Sequence, residues 1–145
     1  MVGILKGAMP FLTDLMREVD LPVTIDTMCV SSYGSGTESS GEIRIKKDLD
    51  SSIRGKDVLI VEDIIDTGLT LAALMPALKA KGAASVALAV CMDKQERRRV
   101  HVDVRYRGFV VPDKFIVGYG CDYAGKYRNI PEICTLKKEK YAKQL

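Results

Sequence analysis

The sequence is poor in the residues that build several common active sites. Its 145 residues include no tryptophan and a single histidine, His101. One histidine excludes metal sites built from several histidines, and nothing around His101 indicates a nucleophile for it to activate. The four cysteines are far apart and lack the paired spacing of a zinc site, so we expect reduced thiols. They are Cys29, Cys91, Cys121 and Cys134.

Long apolar segments are also missing. No run reaches the roughly eighteen apolar residues of a membrane helix, and the amino terminus lacks a basic region followed by an apolar core. We therefore expect no membrane span, no signal peptide and a cytoplasmic location. The length predicts one domain, residues 1–145, which can bury roughly two-thirds of its unfolded surface.

Charge of one sign is not in large excess. The net charge is +3 at pH 7, and the basic residues gather at 94–99 and after Leu136. We interpret the 94–99 run as a solvated face, with attraction of a polyanionic substrate as the functional alternative. Nucleic-acid binding ranks lower, because no aromatic residues alternate with Arg97-Arg98-Arg99.

The most informative stretch runs from Val58 to Leu71. It opens with four apolar residues and then carries Glu62 and Asp63. A short apolar run bounded by charge is typical of a strand buried on both faces in a parallel sheet. The acids would then lie at the carboxyl edge of that sheet, where open α/β proteins bind ligands.

The residues that follow favour phosphate binding. Residues 66–70, Asp-Thr-Gly-Leu-Thr, connect the strand to a helix predicted over about 69–81. Small and hydroxylated residues at a helix start leave backbone N–H groups free to bind an anion. Acids beside such a site imply that ribose hydroxyls or a divalent cation lie between them and the phosphate. The alternative is that the acids are solvated turn residues and that Asp66 or Thr67 caps the helix.

The other elements follow from apolar spacing and turn residues. We predict strands at 2–5, 23–32, 42–46, 86–92, 114–119 and 133–136, and a first helix that starts at Pro10. The Gly- and Ser-rich segment 33–41 predicts a mobile flap. Pro76 predicts a bend in the second helix, and Gly82 predicts its end. The alternation predicts an α/β fold with a twisted, mainly parallel sheet that includes 114–119.

The segment from Val61 to Thr70 resembles the phosphoribosyl-pyrophosphate motif of type I phosphoribosyltransferases, in the form found in hypoxanthine-guanine phosphoribosyltransferases. The resemblance extends from Gly3 to Leu136. It implies the type I phosphoribosyltransferase fold, with helices flanking the sheet, a flexible flap and a small hood region. It also implies a shortened amino terminus, because these enzymes generally have a further helix and the start of the first strand upstream.

The resemblance implies a binding site for the sugar donor. Glu62 and Asp63 would bind the ribose hydroxyls and Mg²⁺, with Asp122 as a second ligand of magnesium. Asp66 would also be a general acid/base near nitrogen 7 of the purine. The residues implied to bind the 5′-phosphate are Asp66, Thr67, Gly68, Leu69 and Thr70. Those implied to bind pyrophosphate are Lys6, Gly7 and Arg128. The peptide bond before Lys6 can be cis in this family, although Lys6 taken alone could be a surface lysine.

The same resemblance implies a purine site. Lys94 would donate to the oxygen at position 6, which favours 6-oxopurines over adenine. Phe115 would stack on the base, although its sequence context alone favours a core residue. The residues implied to bind the purine are Lys94, Phe115, Ile116, Cys121 and Asp122. The flap that closes over the site would start at Ser32 and Tyr33.

The implied function is purine salvage by Mg²⁺-dependent transfer of the 5-phosphoribosyl group from phosphoribosyl pyrophosphate to hypoxanthine or guanine. The products would be IMP or GMP and pyrophosphate. The partners would be the donor, a 6-oxopurine base and a purine mononucleotide, and the enzyme would be a homodimer or homotetramer. Alternatives are a regulator that senses phosphoribosyl pyrophosphate without catalysis and a folded but weak or inactive protein. Preference among hypoxanthine, guanine and xanthine stays open.

Overall fold

Six strands form the main sheet of the protein, in a computed structural model that describes residues 1–32 and 42–141. In chain order they are β1 (Val2–Ile4), β2 (Asp26–Ser32), β3 (Ile43–Lys47), β4 (Asp57–Ile65), β5 (Ser85–Asp93) and β6 (Tyr106–Val110). Their order across the sheet is β3-β2-β1-β4-β5-β6, and neighbours are parallel except β2 and β3. The predicted mainly parallel sheet is therefore confirmed. The predicted flap, with Tyr33, falls on residues 33–41, which lie outside the described residues.

Two helices connect adjacent parallel strands. Helix α1 (Met9–Glu18) joins β1 to β2, and α2 (Leu69–Ala80) joins β4 to β5. Gly82, with a φ of 96°, ends α2 as predicted, and its N–H donates to the carbonyl oxygen of Lys79 over 2.9 Å. Helix α2 continues through Pro76, where the bend stays a prediction.

The main hydrophobic core lies where α2 covers the sheet. Leu71, Leu74 and Leu78 are buried at the spacing of one helix face, which explains why this apolar segment is helical. Their partners come largely from the central strands, whose nearly continuous apolar sequences suit burial. These partners include Val58, Ile60, Ile65, Leu88 and Val90. A second, smaller core contains Cys91, Met92, Ile116 and Cys121.

The chain leaves the adjacent strands β1 and β4 in opposite directions. From β1 it passes through α1 to β2, whereas from β4 it passes through α2 to β5 on the other side of the pair. Loops that diverge from two neighbouring parallel strands leave a crevice at the carboxyl ends of the strands. The topology therefore opens a crevice between Lys6 and Gly7, which follow β1, and residues 66–68, which follow β4.

Three strand predictions need correction. Segment 114–119 does not continue the main sheet, because β7 (Ile116–Val117) pairs antiparallel with β8 (Cys134–Thr135) in a separate two-stranded sheet. The sixth main strand is β6, which apolar patterning missed because all five of its residues are exposed. Strand β4 is longer than predicted, so Glu62 and Asp63 lie within it rather than after it.

The chain after β6 returns over the carboxyl ends of the central strands. It carries β7 and β8 and ends in the short helix α3 (Lys138–Tyr141). Gly120 lies so close to the loop after β1 that a Cβ atom there would be 1.9 Å from the carbonyl oxygen of Gly7. This segment occupies the position expected of the hood. No helix within residues 1–32 and 42–141 is long and apolar enough to cross a bilayer.

Candidate active site

A cleft of ≈380 Å³ lies at the switch point between β1 and β4. The loop after β1 forms one wall, the end of β4 and the start of α2 form another, and Arg128 reaches it from the hood. The predicted residues that line it are Lys6, Gly7, Glu62, Asp63, Asp66, Thr67, Gly68, Thr70 and Arg128. Residues that are up to 122 positions apart in the sequence therefore share one cleft.

A second cleft of ≈220 Å³ adjoins the first and shares Asp63, Ile64 and Asp66 with it. Besides these shared residues, its lining includes the predicted residues Lys94, Phe115, Ile116, Cys121 and Asp122. The predicted donor and purine residues thus lie in two neighbouring clefts with a common wall.

Leu69, the first residue of α2, lies outside both linings. Ser32 is the last residue of β2. A larger, mainly apolar cleft of ≈680 Å³ lies beside α1, and its lining includes none of the predicted residues whose side chains the structure describes.

The start of α2 has the geometry of an anion site. Gly68 precedes the helix with a φ of 84°, a left-handed conformation that glycine adopts without strain. The N-cap residue, Gly68, has no side chain to cap the helix. The Thr67 hydroxyl accepts the N–H of Leu69, the first residue of α2, over 3.4 Å, so the predicted alternative of a cap is met in part by Thr67 and leaves the other first-turn N–H groups to a ligand. The first-turn N–H groups of a helix have no partner within the helix, and they carry the positive end of its dipole.

Glu62 and Asp63 form an acidic wall of the first cleft. Among the described residues, neither carboxylate has a basic side chain within ion-pair distance. Burial raises the pKa of Glu62 well above its usual range, and the charge of Asp63 raises it further. Two adjacent acids without basic partners suit a bound cation or a polyol, because either would stabilise the ionised carboxylates.

The carboxylate of Asp63 is held closely by its surroundings. Its Oδ1 accepts the N–H of Ile64 over 2.7 Å, and its Oδ2 accepts the thiol of Cys121 over 3.4 Å. A Cβ atom at Gly7 would lie 1.8 Å from the same Oδ2, so glycine is required for this close approach. Burial, and then the charge of Asp63, raise the pKa of the Cys121 thiol, which is therefore protonated and able to donate.

Asp66 lies between the two clefts. Its Oδ2 is 3.9 Å from both the Lys94 ammonium and a guanidinium nitrogen of Arg97. Its Oδ1 is buried, and within the part of the chain that the structure describes it has no hydrogen-bond partner. Buried polar atoms are nearly always paired, so the Asp66 carboxylate has an unused hydrogen-bond acceptor beside the two clefts.

Arg128 and Asp122 contact each other at the mouth of the clefts. The Nη2 of Arg128 lies 2.8 Å from Oδ1 of Asp122, and its Nη1 donates to the carbonyl oxygen of Gly120 over 2.7 Å. The Oδ2 of Asp122 accepts the N–H of Gly125 over 2.8 Å. Both oxygens of Asp122 thus have protein partners, unlike the free oxygen of Asp66.

Phe115 is half-buried and lines the second cleft, and it is not a member of either core cluster. Its ring packs edge-on against Tyr123, with centroids 5.4 Å apart, and lies 5.2 Å from the ring of Tyr141. The neighbouring Ile116 is buried. Aromatic neighbours hold Phe115 while leaving part of it exposed to the cleft.

Sequence reasoning missed the part that the basic run plays in this site. The side chain of Arg97 lines the second cleft and its Nε lies 2.9 Å from Asp113, while Arg98 pairs with the buried Asp93. The interpretation of the run as a solvated face is therefore wrong for Arg98 and for the buried Lys94, whereas Arg97 is exposed and lines the cleft as well. The available signal was their position directly after the end of a central strand, where ligand-facing loops begin.

The peptide bond between Leu5 and Lys6 is cis, as the resemblance implied. Among the described residues, no group of three or more histidine, cysteine or acidic side chains could hold a metal ion by itself.

Comparisons with known proteins identify similar chains. A family model described as phosphoribosyl transferase domain matches residues 1–124. The bifunctional protein TilS/HprT of Listeria monocytogenes serotype 4b (strain F2365) is 54% identical over 141 residues, which cover 97% of this chain and 22% of that protein. The hypoxanthine-guanine phosphoribosyltransferase of Bacillus subtilis (strain 168) is 49% identical over 140 residues, covering 97% and 78% of the two chains.

A crystal structure of a hypoxanthine phosphoribosyltransferase from Staphylococcus aureus is similar throughout, with a TM-score of 0.93 at 49% identity. The match covers 97% of this chain and 76% of that one. The chain therefore spans about three-quarters of the length of these last two relatives and 22% of the Listeria protein.

Proposed function

Because the chain belongs to the phosphoribosyl transferase domain family, we propose that it is a Mg²⁺-dependent hypoxanthine-guanine phosphoribosyltransferase of purine salvage. It transfers the 5-phosphoribosyl group of phosphoribosyl pyrophosphate to hypoxanthine or guanine and forms IMP or GMP and pyrophosphate. The observation that carries this proposal is the pair of adjoining clefts with the shared wall of Asp63, Ile64 and Asp66. One single-domain chain, residues 1–145, supplies both.

The first cleft binds the sugar donor. Residues 66–70 at the start of α2 bind the 5′-phosphate through backbone N–H groups and hydroxyls. Glu62 and Asp63 bind the ribose hydroxyls. The pyrophosphate is bound by Lys6, Gly7 and Arg128. The positive charges of Lys6 and Arg128 stabilise the negative charge that builds on the pyrophosphate as it leaves.

Mg²⁺ fits the donor set of this cleft. It prefers oxygen ligands, needs few from the protein, and keeps several waters and substrate oxygens. Glu62 and Asp63 would hold it, and when bound it supplies positive charge to the leaving pyrophosphate. Asp122 would serve as a ligand only after giving up its contact with Arg128 or with the N–H of Gly125.

The second cleft binds the purine. Lys94, with a side chain that is 9% exposed, faces Asp66 and donates to the oxygen at position 6 of the base. An ammonium offers donors only, so the 6-amino group of adenine is disfavoured. Phe115 stacks on the base, the backbone of Ile116 contacts its edge, and Cys121 lines the pocket.

The reaction exchanges one bond at the anomeric carbon for another. The bond from C1′ to the pyrophosphate oxygen breaks and its electron pair leaves with pyrophosphate, while nitrogen 9 of the purine bonds to C1′. A proton leaves the base in the same process. The carboxylate of Asp66, on the wall that the two clefts share, exchanges a proton with nitrogen 7 of the purine. The flap beginning at Ser32 and Tyr33 excludes water during transfer.

An activity panel tests the proposal. The purified chain is incubated with phosphoribosyl pyrophosphate, Mg²⁺ and each of hypoxanthine, guanine, xanthine and adenine, and nucleotides are separated and identified by mass. We expect IMP and GMP, little or no AMP, and no product when the donor or Mg²⁺ is withheld. Absence of nucleotide with all three 6-oxopurines would refute the proposal, and donor binding without turnover would support the sensing regulator instead. Light scattering on the same sample tests the expected homodimer or homotetramer.

A further inference from the structure

The loop that forms the phosphate site is held from behind by the segment that follows β5. The Nε of Arg98 donates to the carbonyl oxygen of Asp66 over 3.1 Å. The backbone N–H groups of Arg99 and Val100 donate to the carbonyl oxygen of Thr67, over 2.9 and 3.4 Å. Both carbonyls therefore point toward residues 98–100, and none of those three residues lines either cleft.

The direction of these carbonyls fixes the direction of the next N–H groups. In a planar trans peptide the C=O of one residue and the N–H of the following residue point in opposite directions. Because the carbonyls of Asp66 and Thr67 point away from the cleft, the N–H groups of Thr67 and Gly68 point into it. Residues 98–100 thus set the orientation of two donors of the phosphate site.

Arg98 is itself anchored by a buried acid. Asp93, at the end of β5, is 0% exposed, and its Oδ1 accepts a hydrogen bond from the Nη2 of Arg98. Its Oδ2 accepts the Nε of Arg107, from the edge strand β6, over 2.6 Å. A buried carboxylate with two guanidinium partners restricts both arginines. Of the two, Arg98 reaches the phosphate loop, and a Cβ atom on Gly68 would lie 3.0 Å from its Cδ.

We propose that Arg98, fixed by Asp93, is a positioning residue that orients the backbone donors of residues 66–68 toward the 5′-phosphate. The inference deepens the proposed function and rests on it. Arg98 touches neither the donor nor the base, so it acts through the loop. Its loss is expected to weaken the binding of phosphate-bearing ligands selectively.

The test compares Arg98→Met with Arg107→Met in the full chain. Each change removes one guanidinium partner of Asp93, but only the first removes a contact to the phosphate loop. Steady-state kinetics give separate KM values for phosphoribosyl pyrophosphate and for the purine, and calorimetry gives the Kd of GMP. Thermal unfolding monitors the stability of both variants. Arg98→Lys is prepared as well, because it keeps a charge beside Asp93 while removing the Nε donor.

We expect Arg98→Met to raise the donor KM and the Kd of GMP about tenfold, as for one hydrogen bond to a well-aligned site. The purine KM should stay within about twofold, and Arg107→Met should leave all three values within about twofold despite a similar loss of thermal stability.

If Arg98→Met does not fold, Arg98→Lys must show the same selective loss. Equal changes in the Arg98 and Arg107 variants, or unchanged donor binding in the former, would overturn the inference while leaving the proposed function intact. A wild-type chain that binds neither donor nor GMP would refute the proposed function itself, and the inference with it.

Discussion

Gly7→Ala tests the donor site most directly, because the structure defines the atoms that would collide. The new Cβ would lie 1.8 Å from Oδ2 of Asp63 and 2.6 Å from its Cγ. Relief requires the carboxylate or the loop after β1 to move by about 1 Å or more, and a shift of that size at a reacting centre can cost about a hundredfold in rate. Either movement displaces a group that we assign to the donor or its metal.

The expected result is a loss of about a hundredfold in kcat/KM for phosphoribosyl pyrophosphate, equivalent to about 3 kcal/mol of transition-state stabilisation. The assay varies the donor at fixed purine and excess Mg²⁺ and follows nucleotide formation. We expect the KM for hypoxanthine to rise less than the KM for the donor, because Gly7 lines only the first cleft, whereas the displaced Asp63 borders both.

Gly3→Ala is the matched control. Gly3 lies on β1, the strand that precedes the Gly7 loop, and a Cβ there would be 2.5 Å from Cδ2 of Leu12, outside both clefts. This change should lower the free energy of unfolding by about 1–3 kcal/mol through overpacking and leave kcat/KM unchanged. The reasoning fails if Gly7→Ala keeps donor kcat/KM within about twofold of wild type, or if Gly3→Ala loses as much.

Three further predictions address the other parts of the molecule. Asp66→Asn should lower kcat more than it raises the donor KM, which steady-state kinetics would reveal; equal losses in both would contradict its acid/base role. Lys94→Gln should lower kcat/KM for hypoxanthine and guanine about tenfold or more and reduce the discrimination against adenine, and a base panel that keeps the wild-type ratio would count against this role. Asp26→Asn should lower the free energy of unfolding by about 1–2 kcal/mol at pH 7, because its carboxylate accepts the N–H groups of Thr27, Asp50 and Ser51. Burial raises the pKa of Asp26, but these bonds and the charge of Lys47 outweigh it and hold the pKa below 3.8. The stabilisation is complete above that pH and is lost as pH falls through the lower folded-state value, so unfolding of wild type and variant should converge in acid.

Local pattern was enough for the element at the centre of this protein. The apolar run of β4, the acids in the last four residues of that strand and the glycine before α2 are close in the sequence, and each reflects a local requirement: burial, charge near a sheet edge, and a left-handed turn. Strand β6 was missed for the opposite reason. Its residues are exposed at the edge of the sheet, so no apolar periodicity marks it.

The site itself depended on contacts between distant segments. Nothing near Gly7 in the sequence indicates that its missing side chain makes room for Asp63, and nothing near Arg98 indicates that it holds the carbonyl of Asp66. The basic run looked like a solvated face because its acidic partners, Asp93 and Asp113, become neighbours only after the chain folds over the strand ends.

The sequence by itself determined the secondary structure around β4 and α2 and the chemical types needed to bind a phosphorylated sugar, because burial and backbone geometry act over a few neighbouring residues. Only the tertiary structure decided which remote side chains meet. Strands β1 and β4 are neighbours in the sheet, and the chain leaves them in opposite directions, which opens the crevice. The segment after β6 returns over the strand ends and brings Phe115, Asp122 and Arg128 to the two clefts. Sheet order depends on the packing of the whole core, and no short stretch of residues encodes it.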